Sequence, residues 1–420
     1  MKNTVTLKNL ILDKVVVSGN KVEYPFRAAD ALKKYFTKDK ITIEYDTDMS
    51  CVPESVLSIP FIGSLAGLMW LADIELWVND LDKTFYEAFF RIKRAYQEMH
   101  SDLPLKGELV PCRFMENTTP KTGKSLLLFG GGIDCQSSFI RHEDSITDVL
   151  NIYGWLGDIA EDNKVDRHDD QFTKKFCAVA GKTPRHIRSD VFKVLNLAQI
   201  DKDFQKALHT NYWYGLLHSM AFISMGIPMA FEKGLDRIII ASSFRKGIQG
   251  YCTSFITTDS QWSWAENGTT LHDGFELIRL EKVRLLVEYH KKNGKALPLH
   301  VCSFKDHECC VCDKCFRSIV QIVAEGGDPR DFGFDIKGSL KDFYSQAAPE
   351  NVYLWELPKE RDRYWPPTMA RMKENYENIK EKDFVDWFTT YDFNKAYKDG
   401  IKKYYRKNFW SILKRKLTGR

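Results

Sequence analysis

From Ser125 to about Gly326 short apolar runs alternate with longer helical ones, and this alternation restricts the available folds more than any other feature of the chain. SLLLF leads into a polar helical stretch, DVLNIYGW into DNKVDRHDDQFTKKFCAVAG, and RHIRSD into a helix through NYWYGLLHSMAFISMGIPMAFEKG; DRIIIASSF and the helical ELIRLEKVRLLVEYHKK follow. Strands that alternate with helices predict an α/β fold, a parallel sheet with helices on both faces. Ligands of such sheets bind beyond the carboxyl ends of the strands.

The flanks read differently. At 420 residues the chain is long enough for two or three domains. Residues 1–118 are expected to form an α+β domain, with KITIEYD and IELWV as strands and TFYEAFFRIKRAYQEMH as an amphipathic helix. PCRFMENTTPKTGK, with two prolines and a glycine, reads as a linker. The main domain then covers 119–330, and 331–420 is expected to be a helical C-terminal region. Its basic end, KKYYRKNFWSILKRKLTGR, is either a solvated helix face or a surface for membrane or nucleic acid.

Composition excludes several classes. With 44% hydrophobic and 28% charged residues the chain reads as soluble and globular. A net charge of +4, from 61 basic and 57 acidic residues, demands no nucleic-acid partner. The apolar stretch VLSIPFIGSLAGLMWLADIELWV is broken by Pro60 and Asp73, which favours a buried helix and strand over a membrane span. MKNTVTLKNLILDKVVV is too interrupted for a signal peptide, so a cytoplasmic location is expected.

SLLLF runs straight into Gly130, Gly131 and Gly132 and then into a helix. Free backbone N–H groups at such a helix start can cradle a phosphate, and Asp134 on the same turn can hold Mg²⁺ or cap the helix. A tight turn with no ligand is the alternative. The loop fits neither the Walker pattern, for want of a lysine, nor G-x-G-x-x-G, because Asp134 and Cys135 stand where its third glycine belongs.

Five of the ten cysteines fall in VCSFKDHECCVCDKC. Cys309, Cys312 and Cys315 follow C-x-x-C-x-x-C spacing with Cys302 upstream, a thiolate set suited to a structural Zn²⁺. Cys310 is left over, and His300 and His307 are nearby substitutes. An iron–sulfur cluster, a redox pair or unmetallated thiols are the alternatives.

FGGGIDC resembles the S-G-G-x-D-S pyrophosphate loop of the PP-loop ATP pyrophosphatase superfamily, with Gly130 and Cys135 in place of its serines. The cysteine spacing is similar to that of 7-cyano-7-deazaguanine synthases. CVCDKCFRSIVQIVAEG resembles the C-G-x-C-x-K-C-x-R ending of the muramoyl-peptide glutamate epimerase group, and TTLHDGFELIRLEKVRLL the H-D-G and R-x-E-K of its relatives. The resemblance covers about residues 120–326. It implies an HUP-type domain that binds ATP and Mg²⁺ through Gly130, Gly131, Gly132, Ile133, Asp134, Cys135 and Ser137, with Gln136 and Ser138 as partial substitutes for the missing hydroxyls. The implied activity is the release of pyrophosphate on adenylating a small-molecule carboxylate, such as a cell-envelope precursor, in a ligase or epimerase reaction.

Other residues complete the expected site. Ser242 and Ser243 follow the strand RIIIA, where they can meet a nucleotide or cap a helix. Arg279 and Lys282 share a helix face and can neutralise leaving pyrophosphate. His272 can serve as a general acid or base with Asp273 orienting it, or the segment is a capped helix with surface charges. His218, on an apolar helix, reads as a core histidine, and Trp262 and Trp264 as loop anchors or stacking platforms. Two rival functions keep the fold: a weakened nucleotide-binding or scaffold protein, and a tRNA- or base-modifying enzyme.

Overall fold

The computed structural model describes residues 8–155, 159–248, 250–294, 297–302, 307–352, 355 and 364–418. The chain divides into two compact units: Met1–Gly130 with Ser138–Glu276, and Gly131–Ser137 with Leu277–Arg420.

The first unit is built on a twelve-stranded mixed sheet. Its strands are β1 (Asn9–Leu12), β2 (Val16–Ser18), β3 (Lys21–Ala28), β4 (Lys40–Tyr45), β5 (Glu75–Asp82), β6 (Glu108–Met115), β7 (Ser125–Leu128), β8 (Ile146–Tyr153), β9 (Thr183–Ser189), β10 (Arg237–Ala241), β11 (Ser263–Trp264) and β12 (Gly268–Asp273). They lie in the order β11-β12-β10-β7-β8-β9-β4-β3-β1-β5-β6, with β2 beside β3. The run β10-β7-β8-β9 is parallel, as the alternating sequence pattern predicts, and β12 extends it in parallel beside β10, so the TTLHD segment is strand and not the start of a capped helix.

The boundary expected at residue 118 falls inside the first compact unit. Antiparallel pairing of β4 with β9, Ile43 opposite Ser189 and Tyr45 opposite Ile187, continues the sheet into the N-terminal segment. A single hydrophobic core runs from Leu10 to Trp264. Helix Ile59–Ala72 lies at its centre, and 89% of the apolar window that suits a membrane span by length and composition is buried. Its G-x-x-x-G face meets two helices closely: a methyl at Gly63 would collide with Ser224 of helix His218–Glu232, and one at Gly67 with the Leu216 carbonyl of the short helix Tyr212–Leu216 before it.

Two further expectations are corrected. The first five residues of the presumed linker are strand: β6 carries PCRFM and pairs in parallel with β5 at the sheet edge, where a proline is tolerated. Trp262 and Trp264 are 2% and 0% exposed, so both are core residues and neither is a stacking platform.

In the second unit the boundary expected at residue 330 is likewise absent. Helices Arg279–Asn293 and Asp313–Ala324 belong with the C-terminal helices Leu340–Asn351, Trp365–Glu374, Lys382–Thr390 and Phe393–Thr418. Phe316 joins them. Its ring stacks on Trp355 at 3.8 Å and meets Tyr344, Trp365 and Phe388 within 6.1 Å.

Candidate functional site

The glycine turn follows β7 and opens helix Ile133–Arg141. Gly131 has φ +76°, a conformation that favours glycine, and its carbonyl accepts the His300 N–H at 2.9 Å and the Gln136 side-chain amide at 3.1 Å. Gln136 also donates to the Pro298 carbonyl. The segment around His300 thus buttresses the turn. Ile133 is 1% exposed and serves packing. Ser137 donates to the Asp134 carbonyl at 2.8 Å and the Cys135 thiol lies 3.1 Å from the Gly132 carbonyl, so both groups stabilise the first helical turn.

Asp134 is the focus of the charges in the second unit. Lys282 Nζ lies 2.9 Å from Asp134 Oδ1 and Arg279 Nη1 3.3 Å from Oδ2. Arg279 also donates to Ser318 Oγ at 3.4 Å. Burial raises the Asp134 pKa, but Lys282, then Arg279, and more weakly Arg317 outweigh it and hold the carboxyl below its ordinary value. Burial lowers Arg279 from its ordinary value, against the pull of Asp134. Arg317, 8% exposed, pairs with Asp313 at 3.0 Å and lies 4.3 Å from the Tyr364 ring centre. Arg317 and Ser318 escape a sequence reading, because only the helix they occupy relates them to Arg279. The one sequence signal for them was the arginine that ends C-x-K-C-x-R.

Cys302, Cys309, Cys312 and Cys315 bring their sulfurs within 4.8 Å of one another, a group that can hold a metal ion. Cys309 and Cys315 are 3.9 Å apart, against about 3.8 Å between ligands of a tetrahedral site with metal–sulfur bonds near 2.3 Å. The Cys312 N–H points at Cys309 Sγ (3.3 Å) and the Cys315 N–H at Cys312 Sγ (3.5 Å). Cys312 thereby caps helix Asp313–Ala324. A hydrogen bond from Cys315 lowers the Cys312 thiol to about 5 against the effect of burial, as a helix N-terminus favours. Cys310 has φ +60° and stands at the turn, outside the ligand set, where the resembled pattern has glycine. His300 pairs with Glu308 at 3.3 Å.

The remaining expected residues lie in the first unit. His272 and Asp273 are consecutive in β12 and so project to opposite faces. His272 Nδ1 meets Asp259 Oδ2 at 2.8 Å with both side chains fully buried. Asp273 instead accepts from Ser138 at 2.7 Å and contacts His142 Nε2 at 2.8 Å; it does not orient His272. Ser242 is buried and donates to the Phe244 carbonyl at 2.8 Å, whereas Ser243 is exposed. His218 is partly buried, its Nδ1 3.0 Å from the Trp213 carbonyl and 2.8 Å from Thr253 Oγ1.

The parallel strands give the class of protein. Taken as β9-β8-β7-β10-β12, they follow the 3-2-1-4-5 order of a doubly wound sheet, which reverses direction between β7 and β10. In such α/β proteins that reversal, at the carboxyl end of the first strand, is where ligands bind, and here the glycine turn follows that strand. Beyond this class, no family model, curated protein or solved structure matches the chain.

Proposed function

We propose that the protein is an ATP-dependent enzyme of the PP-loop type, in which a substrate carboxylate is adenylated and pyrophosphate leaves. The observation that carries this reading is the meeting of Asp134, on the first turn after the glycines, with Arg279 and Lys282 from R-x-E-K. Backbone N–H groups of the turn would hold the polyphosphate. A carboxylate oxygen bonds to the α-phosphorus as the bond from that phosphorus to the bridging oxygen breaks. The charge that develops on the departing pyrophosphate is what Lys282 and Arg279 stabilise. Asp134 would hold Mg²⁺, which neutralises phosphate charge when bound; one carboxylate suffices where phosphates supply other ligands. His272, enclosed against Asp259, has no part in this scheme.

The test is pyrophosphate release from Mg·ATP over a panel of carboxylates. Carboxylate-dependent release by the wild type, lost in Asp134→Ala and Lys282→Met, is expected. Equal inactivity of all three would sink the reading.

A second reading, a nucleotide-binding protein with weakened chemistry, is favoured by the absence of hydroxyls at Gly130 and Cys135. Binding of Mg·ATP without pyrophosphate release from any carboxylate would select it.

For the cysteines we infer a structural zinc, because four thiolates form a closed shell with no open position for substrate. Elemental analysis should find about one zinc per chain; iron with sulfide would identify a cluster instead.

A further inference from the structure

Helix Asp313–Ala324 carries both a metal ligand and charges of the Asp134 cluster. Cys315 belongs to the cysteine group, Arg317 stands two residues further on, and Ser318 three. Ser318 Oγ receives Arg279 Nη2 at 3.4 Å, and Arg279 holds Asp134. Within this cluster Arg279 and Lys282 meet Asp134, and Arg317 meets Asp313. The Nε atoms of Arg279 and Arg317 are buried without a hydrogen-bond partner. Buried guanidinium groups left partly unsatisfied favour an incoming anion.

The same helix depends on the cysteines for its start. Cys312 is its N-cap and Cys315 lies in its first turn. A first turn has no intrahelical partners for its N–H groups and frays when its cap is lost. The carbonyls of Cys310 and Val311 are held by Tyr344 (2.7 Å) and Trp355 (2.6 Å), so the outer side of the turn is fixed by the aromatic core while the sulfurs fix the inner side.

We propose that Arg317 is a ligand of the polyphosphate site, with Ser318 positioning Arg279 there, and that the cysteine-bound metal holds both in place, so that metal and polyphosphate bind with positive linkage. The proposal rests on the adenylating reading for the identity of the anion. Linkage is reciprocal: whatever factor the metal adds to pyrophosphate affinity, pyrophosphate adds to metal affinity.

The experiment uses the full chain and inorganic pyrophosphate with Mg²⁺. Calorimetry on zinc-loaded protein should show binding that weakens about tenfold or more in Arg317→Gln, with smaller weakening in Arg317→Lys, while zinc content and melting temperature hold. Zinc affinity, measured by competition with a chromophoric chelator on the folded wild type, should rise when pyrophosphate is added. Pyrophosphate binding that ignores Arg317, or a zinc affinity unmoved by saturating pyrophosphate, overturns the linkage while leaving the adenylating reading intact. Failure of the zinc-loaded wild type to bind either pyrophosphate or Mg·ATP removes both.

Discussion

Two cations hold the Asp134 carboxylate, and their unequal burial decides what each substitution costs. The Lys282 side chain is 3% exposed and that of Asp134 26%. Asp134→Ala therefore removes the carboxylate from a buried ammonium and should cost about 3 kcal/mol, as breaking a buried pair does, whereas Lys282→Met leaves a partly solvated carboxylate still paired with Arg279 and should cost about 1 kcal/mol. Denaturant midpoints of the two variants check the order. Because the Asp134 pKa is lowered in the folded state, its contribution is complete above the ordinary carboxylate range and is lost only as pH falls through the depressed value. Stability from this pair should be flat between about pH 5 and 8 and fall in acid, with the fall absent in Asp134→Asn. At Gly130 nothing lies within 4 Å of an added Cβ, so Gly130→Ser should fold normally and, in an active enzyme, raise the rate of pyrophosphate release. Legibility at this scale followed chemistry that is local in sequence. Residue type and spacing single out Asp134, Arg279, Lys282 and the four cysteines, and the structure brings the first three together in one cluster and the cysteines in another. The His272–Asp273 pairing was misread because neighbours along a strand point apart, and the true partner, Asp259, lies across the fold.

At the scale of elements, the most telling piece is the helix Ile59–Ala72. Its composition passes for a membrane span, yet Gly63 is placed for close packing on helix His218–Glu232 and Gly67 on helix Tyr212–Leu216. At Gly67 the obstacle is the Leu216 backbone carbonyl, which cannot turn aside as a side chain can. Gly67→Ala should therefore destabilise by about 1–3 kcal/mol through overpacking, although alanine favours helix, and thermal melting would reveal a loss in place of the expected gain. Strands β7, β8 and β10 were legible because runs buried on both faces are apolar without interruption. β6 was not: Pro111, two charges and exposed ends mark it as a linker, and only pairing with β5 makes it a strand. Helix Asp313–Ala324 was legible as a cysteine cluster followed by an apolar run, but the side of the helix that Arg317 occupies depends on three-dimensional phase.

On the scale of the whole molecule, the division into units differs from the division read along the chain because sheet pairing and aromatic packing ignore sequence boundaries. β4 joins the N-terminal segment to β9, and Phe316 joins the knuckle helix to the C-terminal helices. The cysteines therefore support one unit and not the other. The first unit has an extensive apolar core and a continuous sheet of its own. The second has its aromatic core built around a helix whose cap and first turn carry two cysteines of the group that can hold a metal ion. Structural zinc binding to cysteine sites is worth on the order of 10 kcal/mol, more than a small helical unit retains without it. Chelation should therefore produce two calorimetric transitions. The lower should move with metal concentration and carry a fluorescence change from Trp355, Trp365 and Trp387. The upper should keep its midpoint with the strand signal of the sheet. A single transition shifting as a whole would show that the units unfold as one, and an unshifted profile would show that the cysteines carry no structural metal.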